Sequence, residues 1–403
     1  MKGIRRLLVP AAVIAISITA AAVVRADDTG QDDQANRYKM NVLVSDIPIK
    51  NMNPTIDPVL QNSWGVAFSP AGSPFWIADN ATGCATLYAG DGTKVLLQGA
   101  VGVSIPLPGD VVHTTSCKTV DPNNPPMNAA PTGIIWNPSS AFIVPGTKST
   151  TNPNGIQASF IFATEDGTLS AWAQGLTPNP TNAVIAFDNS ASGAVYKGLA
   201  SGVNVNGFFL FATNFNAGTV DVFGPNGPDG LLFTPATTSG GFIDPDIPAG
   251  YAPFGIESID GNLFVSYALQ DAAKHDDVKG PGHGFIDVFD TDGHLVRRFA
   301  SRGPLNSPWG MTRASFAFGR FSGDILVGNF GNGKINVFNS RGLFLDELDR
   351  PNGKPLVIDG LWKLTLGGGR TSSPDTLYFT AGPNDEKDGR FGTITPVSSS
   401  NNN

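Results

Sequence analysis

Five times along the chain a glycine opens a short apolar phrase, and the spacing of these phrases leaves few folds open. They are Gly65-Val-Ala-Phe, Gly133-Ile-Ile-Trp, Gly198-Leu-Ala-Ser, Gly255-Ile-Glu-Ser and Gly310-Met-Thr-Arg. A sixth, Leu361-Trp-Lys-Leu, lacks the glycine. The intervals are 68, 65, 57 and 55 residues, then 52 to Trp362, as one unit with insertions of unequal length would give. The cleanest copy, 306–348, holds four apolar runs (310–313, 324–329, 334–338 and 343–348) separated by Gly, Asn and Ser turns. Short strands bounded by turn residues indicate antiparallel all-β structure, and four per repeat of about fifty residues indicates a propeller blade.

The other copies supply matching second strands, such as Phe75-Trp-Ile-Ala-Asp, Phe160-Ile-Phe-Ala-Thr and Asn262-Leu-Phe-Val-Ser-Tyr. These are continuous apolar runs, the mark of strands buried on both faces. Third strands such as Val220-Asp-Val-Phe and Ile286-Asp-Val-Phe alternate, which predicts a place nearer the solvated rim. The sixth copy ends without a fourth strand, whereas 40–47 is an unpaired strand of the right kind. The expectation is therefore an all-β, six-bladed propeller over 40–397, its ring closed by strand 40–47 on the last blade. Closure removes an open sheet edge.

Outside that ring, Lys2, Arg5 and Arg6 precede the apolar stretch 7–24 and a Val24-Arg25-Ala26 cleavage site. This predicts a signal peptide over 1–26 and a secreted or periplasmic protein. Residues 27–39 read as a flexible lead-in and 398–403 as a disordered tail. Removing the four basic residues of the leader takes the formal charge from -8 to -12. Nothing in such an acidic chain offers a footprint for nucleic acid, and no later stretch is apolar enough to span a membrane. A monomer is expected. Cys84 and Cys117 are the only cysteines; in an oxidising compartment they read as a disulfide, with two separate buried thiols as the alternative.

Gly328-Asn-Phe-Gly-Asn-Gly-Lys334 has the spacing of a phosphate loop, but it runs into a strand and lacks the Ser or Thr that holds magnesium. Asp290-Thr-Asp-Gly293 begins like a calcium loop, yet the next repeat has Asn339-Ser-Arg-Gly342 in its place, so both read as tight turns. Two regions exceed the blade unit: 99–129, which contains Cys117, and 270–284. The second carries His275, Asp276, Asp277 and His283, donors suited to a divalent metal or simply to a solvated loop. Glu257 lies on an inner strand facing the channel. Asp79, Asn80, Glu165, Asp166, Asn214 and Asn329 end the second strands and either cap turns there or converge on the axis around calcium. No strong catalytic motif is present, and four histidines, none beside an obvious nucleophile, speak against a Ser/His triad.

The blade phrase resembles NHL-type propellers. More closely, Asn62-Ser-Trp-Gly-Val-Ala-Phe68, 267–278, 284–293, Leu305-Asn-Ser-Pro-Trp-Gly310 and 377–383 resemble an uncharacterised family of exported bacterial proteins of that build. The resemblance implies a propeller and export but no reaction. Asp385-Glu-Lys-Asp-Gly389 departs from it, lacking a His before the Gly, which puts any metal role there in doubt. Three functions stay open: a module binding a small molecule, glycan or protein through one loop-rich face; a calcium-dependent hydrolase of the lactonase type centred on Glu257; and a surface-assembly protein.

Overall fold

The computed structural model describes residues 35–110, 113, 115–117, 127–224 and 233–397; the expected signal peptide and tail lie outside them. Six antiparallel sheets form six blades. Their inner strands are Ser63–Ala67, Pro131–Trp136, Tyr196–Asn204, Tyr251–Ile259, Pro308–Arg313 and Leu361–Leu366. The expected closure is present. Tyr38–Ser45 pairs antiparallel with Arg390–Pro396 in blade six, beginning two residues earlier than the sequence suggested. Its side chains alternate, with Tyr38, Val42 and Val44 buried. Tyr38 also stacks on Phe318 at 4.8 Å, and its hydroxyl donates to the Phe318 carbonyl at 3.0 Å.

The recurring glycine phrase marks one structural event. Every inner strand shifts register at the same place: between Ser63 and Val66, Pro131 and Ile134, Tyr196 and Gly198, Pro253 and Ile256, Pro308 and Met311, and Leu361 and Leu364. A bulge bends a strand and re-aims a side chain. Here the neighbouring blade comes so close that a side chain has no room. A Cβ on Gly65 would lie 2.5 Å from the Thr132 carbonyl oxygen, and one on Gly255 would lie 2.3 Å from that of Trp309. Hydroxyls of the second strands then bond carbonyls of the next blade's bulge, as Thr213 does to Phe254 at 2.8 Å and Ser266 to Pro308 at 2.6 Å.

Two expectations need correction. The alternating third strands do not lie at the rim; Cys84–Tyr88, Thr168–Trp172 and Phe285–Phe289 are buried throughout. Their polar residues are satisfied internally: the Thr86 hydroxyl donates to Asp79 at 2.6 Å, and Asp287 accepts from Arg298 at 2.5 Å. The more exposed strands are the fourth ones of blades two to five. Blade one's fourth strand is Gly102–Ser104, so part of 99–129, expected to exceed the blade unit, belongs to the blade. The Cys84–Cys117 disulfide, with Cα atoms 5.7 Å apart, clamps this segment. Among the described residues, no helix is long and apolar enough to cross a membrane.

Candidate functional site at the channel mouth

In five of the six bulges the residue before the glycine position packs into one layer across the ring; in the other, Thr132 bonds the Ala163 and Tyr196 carbonyls instead. Trp64, Phe254, Trp309 and Trp362 form one buried cluster with Phe215 and Phe330. Trp362 stacks on Trp64 at 3.4 Å and on Phe330 at 3.8 Å, while Trp309 meets Trp64 edge-on at 5.8 Å. Aromatic pairs of this kind contribute about 0.5–1.5 kcal/mol each beyond burial. The layer is therefore a rigid floor rather than an open pore.

Blade three places a lysine in this layer. Lys197 is only 1% exposed. Its ammonium pairs with Glu165 and, at 3.2 Å, with Asp276 of the 270–284 insertion, and stands 5.2 Å from the Trp64 ring centre. Burial alone would lower its pKa, but the two carboxylates outweigh burial and raise it, so the side chain is a fixed cation. The Trp309 indole donates to the Lys197 carbonyl at 3.1 Å, locking the residue from behind.

Above the floor, hydrogen bonds run from blade to blade. Asn80 donates to Glu165 at 2.8 Å; Asn62 donates to Asn80 at 3.1 Å and to Glu386 at 2.9 Å; and the Trp362 indole donates to Asn62 at 3.1 Å. His275 and Asp276 meet at 3.0 Å and remain accessible, with side-chain exposures of 46% and 66%. Burial raises the carboxyls of Asp277, Glu386 and Asp166, overcoming the bonds that would lower them. Asp276 moves the other way: Lys197 and His275 outweigh its desolvation. The side-chain donor nearest the buried Asp277 carboxylate is the Ser307 hydroxyl.

The insertion is firmly held. The Asp271 carboxylate accepts from the backbone of His275 at 2.9 Å, the Val278 amide reaches the Leu269 carbonyl at 2.7 Å, and the Asn306 side chain accepts from Gly280 at 2.7 Å.

The candidate residues separate into groups. Glu165, His275 and Asp276 come together, each with a donor atom within 4.8 Å of the others', but the Lys197 ammonium already joins two of them. His283 turns back to the Val278 carbonyl at 2.8 Å. Asp79 is wholly buried and bonded to Ser63, at 3.1 Å, and to Thr86. Asn214 is spent on Val195, Ala217 and Asp221, and Asn329 on Asn306, Pro304 and Asn332. These side chains stay within their own blades or reach only adjacent loops. They do not make the six-to-eight-oxygen cage that calcium requires. Glu257 lines a small cavity further along the inner strands with Gly133, Leu199, Trp309 and Lys363, and it is paired with Lys363. In the folded register that lysine, and not Trp362, occupies the glycine position of the degenerate sixth phrase.

Sequence reasoning missed two features. Lys197 had a signal, a lysine where other copies carry Trp, Phe or Thr. The second is in 99–129, where Asp110 reaches His113 Nδ1 at 2.5 Å and His113 Nε2 reaches Ser104 Oγ at 3.1 Å. This is the connectivity of a hydrolytic triad. However, Ser104 is wholly buried and donates its one proton to the Thr115 carbonyl at 2.6 Å. Asn182 also bonds the carbonyls of His113, at 2.8 Å, and Thr115, at 3.1 Å. The group pins the segment to blade two, with no hydroxyl free to attack a substrate.

The chain is 31% identical over 362 residues to uncharacterized protein R648 of Acanthamoeba polyphaga mimivirus, covering 89% of this chain and 80% of that protein. It is 30% identical over 360 residues to uncharacterized protein L690 of the same virus, covering 89% and 85%. Among solved structures, a Bacteroides thetaiotaomicron protein of unknown function aligns with a TM-score of 0.52 at 11% identity, over 90% of this chain and 76% of that one, a likeness of fold alone. No family model matches. These relatives are viral, so the bacterial and NHL attributions remain resemblances of the blade phrase.

Proposed function

We propose that this chain, which belongs to the family of the mimivirus proteins R648 and L690, is a binding module that takes its ligand at the channel mouth. The observation carrying this reading is the imbalance of acidic and basic groups above a buried aromatic floor. Five carboxylates (Glu165, Asp166, Asp276, Asp277 and Glu386) face two ammonium groups, Lys197 and Lys279. A scaffold gains nothing from gathering like charges out of water, whereas a recognition surface does. The insertion supplies the rim, as insertions on one face of a repeat fold commonly do. The leader-like residues 1–26 and the disulfide support a site of action outside the cytoplasm. The hydrolase reading loses its centre because Glu257 is paired with Lys363.

A thermal-shift screen of small cationic, neutral, anionic and glycan fragments tests the binding reading. Fragments that stabilise the wild type should lose that effect in His275→Ala and Asp276→Ala chains. Hits indifferent to both substitutions, or no hits in any class, would overturn it.

A further inference from the structure

The stack of rings in the floor carries an ammonium at each of its ends. Trp64 has Lys197 at 5.2 Å, and Phe330 has Lys279 at 4.2 Å from the ring centre. The two lysines differ in every other respect. Lys197 is buried and doubly ion-paired. Lys279 is exposed, and no ion pair is seen for it among the described residues. It lies over Phe330 in the field of Asp277 and Glu386, favouring the ionised form of both carboxyls. A cation over an aromatic face with carboxylates around it is how proteins hold organic ammonium compounds. Here the cation belongs to the chain itself.

From this we infer that the mouth is a receptor for small primary alkylammonium compounds and that Lys279 occupies it as an internal surrogate. The inference rests on the reading of the mouth as the binding face. Three observations meet at this point. Phe330 is 3% exposed beneath the lysine and backed by Trp362, so its face is preformed and dry. The buried Asp277 carboxylate has the Ser307 hydroxyl as its one side-chain donor among the described residues, and an ammonium with three N–H groups can supply more. The surrounding carboxyls are held above their ordinary range by burial, so an added cation relieves a cost already present. Lys279 satisfies this demand only in part. Its neighbour Gly280 is anchored to Asn306, so the side chain can leave without unfolding the insertion.

The test is calorimetric titration of the full chain with n-butylammonium chloride, against sodium chloride at equal ionic strength. Wild type should bind weakly, and Lys279→Ala about ten-fold more tightly, because the competitor is gone. On the Lys279→Ala background, Asp277→Asn should weaken binding and Phe330→Leu should abolish it. Because Phe330→Leu can disturb the stack, a second readout uses Lys279→Ala alone: the Trp362 indole N–H resonance should move with n-butylammonium and stay still with sodium. Equal affinity in wild type and Lys279→Ala, or a motionless Trp362 resonance, would overturn the inference. If neutral or anionic fragments still bind in a manner sensitive to His275 and Asp276 while n-butylammonium does not, the ligand class is wrong and the binding face stands. If nothing binds, both fall.

Discussion

Two ionic groups lie along the axis of this propeller, one at its mouth and one further along the inner strands, and they are built on opposite plans. Along the inner strands, Glu257 and Lys363 match one for one, with side chains 27% and 12% exposed beside a small cavity. At the mouth, Lys197 is fixed by Glu165 and Asp276, while Asp277, Glu386 and Asp166 keep carboxyls in surroundings that resist their charge. A balanced pair is what a lysine at a glycine position needs in order to be tolerated. The unbalanced group serves no such need, and half-exposed His275 and Asp276 make it reachable. The contrast identifies the mouth as the working end and the inner pair as repair of a degenerate repeat.

The largest expected effect is on Lys197. Replacing it with Met leaves Glu165 and Asp276 facing each other without a counter-ion and should cost about 3–5 kcal/mol of stability in urea unfolding. Adding Glu165→Gln should recover part of that loss. A cost below about 1 kcal/mol would mean that the mouth is not held by this cation. Glu257→Gln should cost less, about 1–2 kcal/mol, since Lys363 keeps a neutral partner and some water. Replacing the pair together by Gln and Met should be nearly neutral. If the double replacement were as damaging as Lys197→Met, the two groups would not differ in kind.

The smallest effect is a pH dependence. The folded pKa of Glu386 lies above its ordinary value of 4.5, chiefly through burial, so its charged form opposes folding. Its unfavourable contribution is absent below the ordinary value and grows as pH rises from there through the raised one. Glu386→Gln should therefore melt at a higher temperature than wild type at neutral pH, and the gap should close in acid. A gap that widens in acid would reverse the assignment.

Much of this was legible because local geometry dictates it. The recurring glycine phrase is the bulge where one blade meets the next, and a Cβ on Gly65, Gly255 or Gly310 would lie within 2.5 Å of a carbonyl oxygen of the next blade. The closing strand was visible because 40–47 is a strand-like run that belongs to no repeat, and the sixth repeat has three strands of its own. The third strands misled because polar side chains such as Thr86 and Asp287 find partners inside a blade, which alternation cannot distinguish from solvent. The site was half legible. Glu165, His275 and Asp276 were candidates, but a contact between Lys197 of blade three, Glu165 of blade two and an insertion in blade four depends on ring closure, which no local pattern encodes. The lysines at 197 and 363 were the available signals, each at a place where the repeat prescribes another residue. The link from Asp110 through His113 to Ser104 had no signal, because it forms within an irregular segment.

The most direct test compares the two groups with one ligand. A fragment that stabilises the wild type should be titrated by calorimetry against Asp276→Ala and Glu257→Gln chains. Recognition at the mouth predicts that Asp276→Ala weakens binding about ten-fold or more and that Glu257→Gln leaves it unchanged. Binding lost with Glu257→Gln and kept with Asp276→Ala would contradict it.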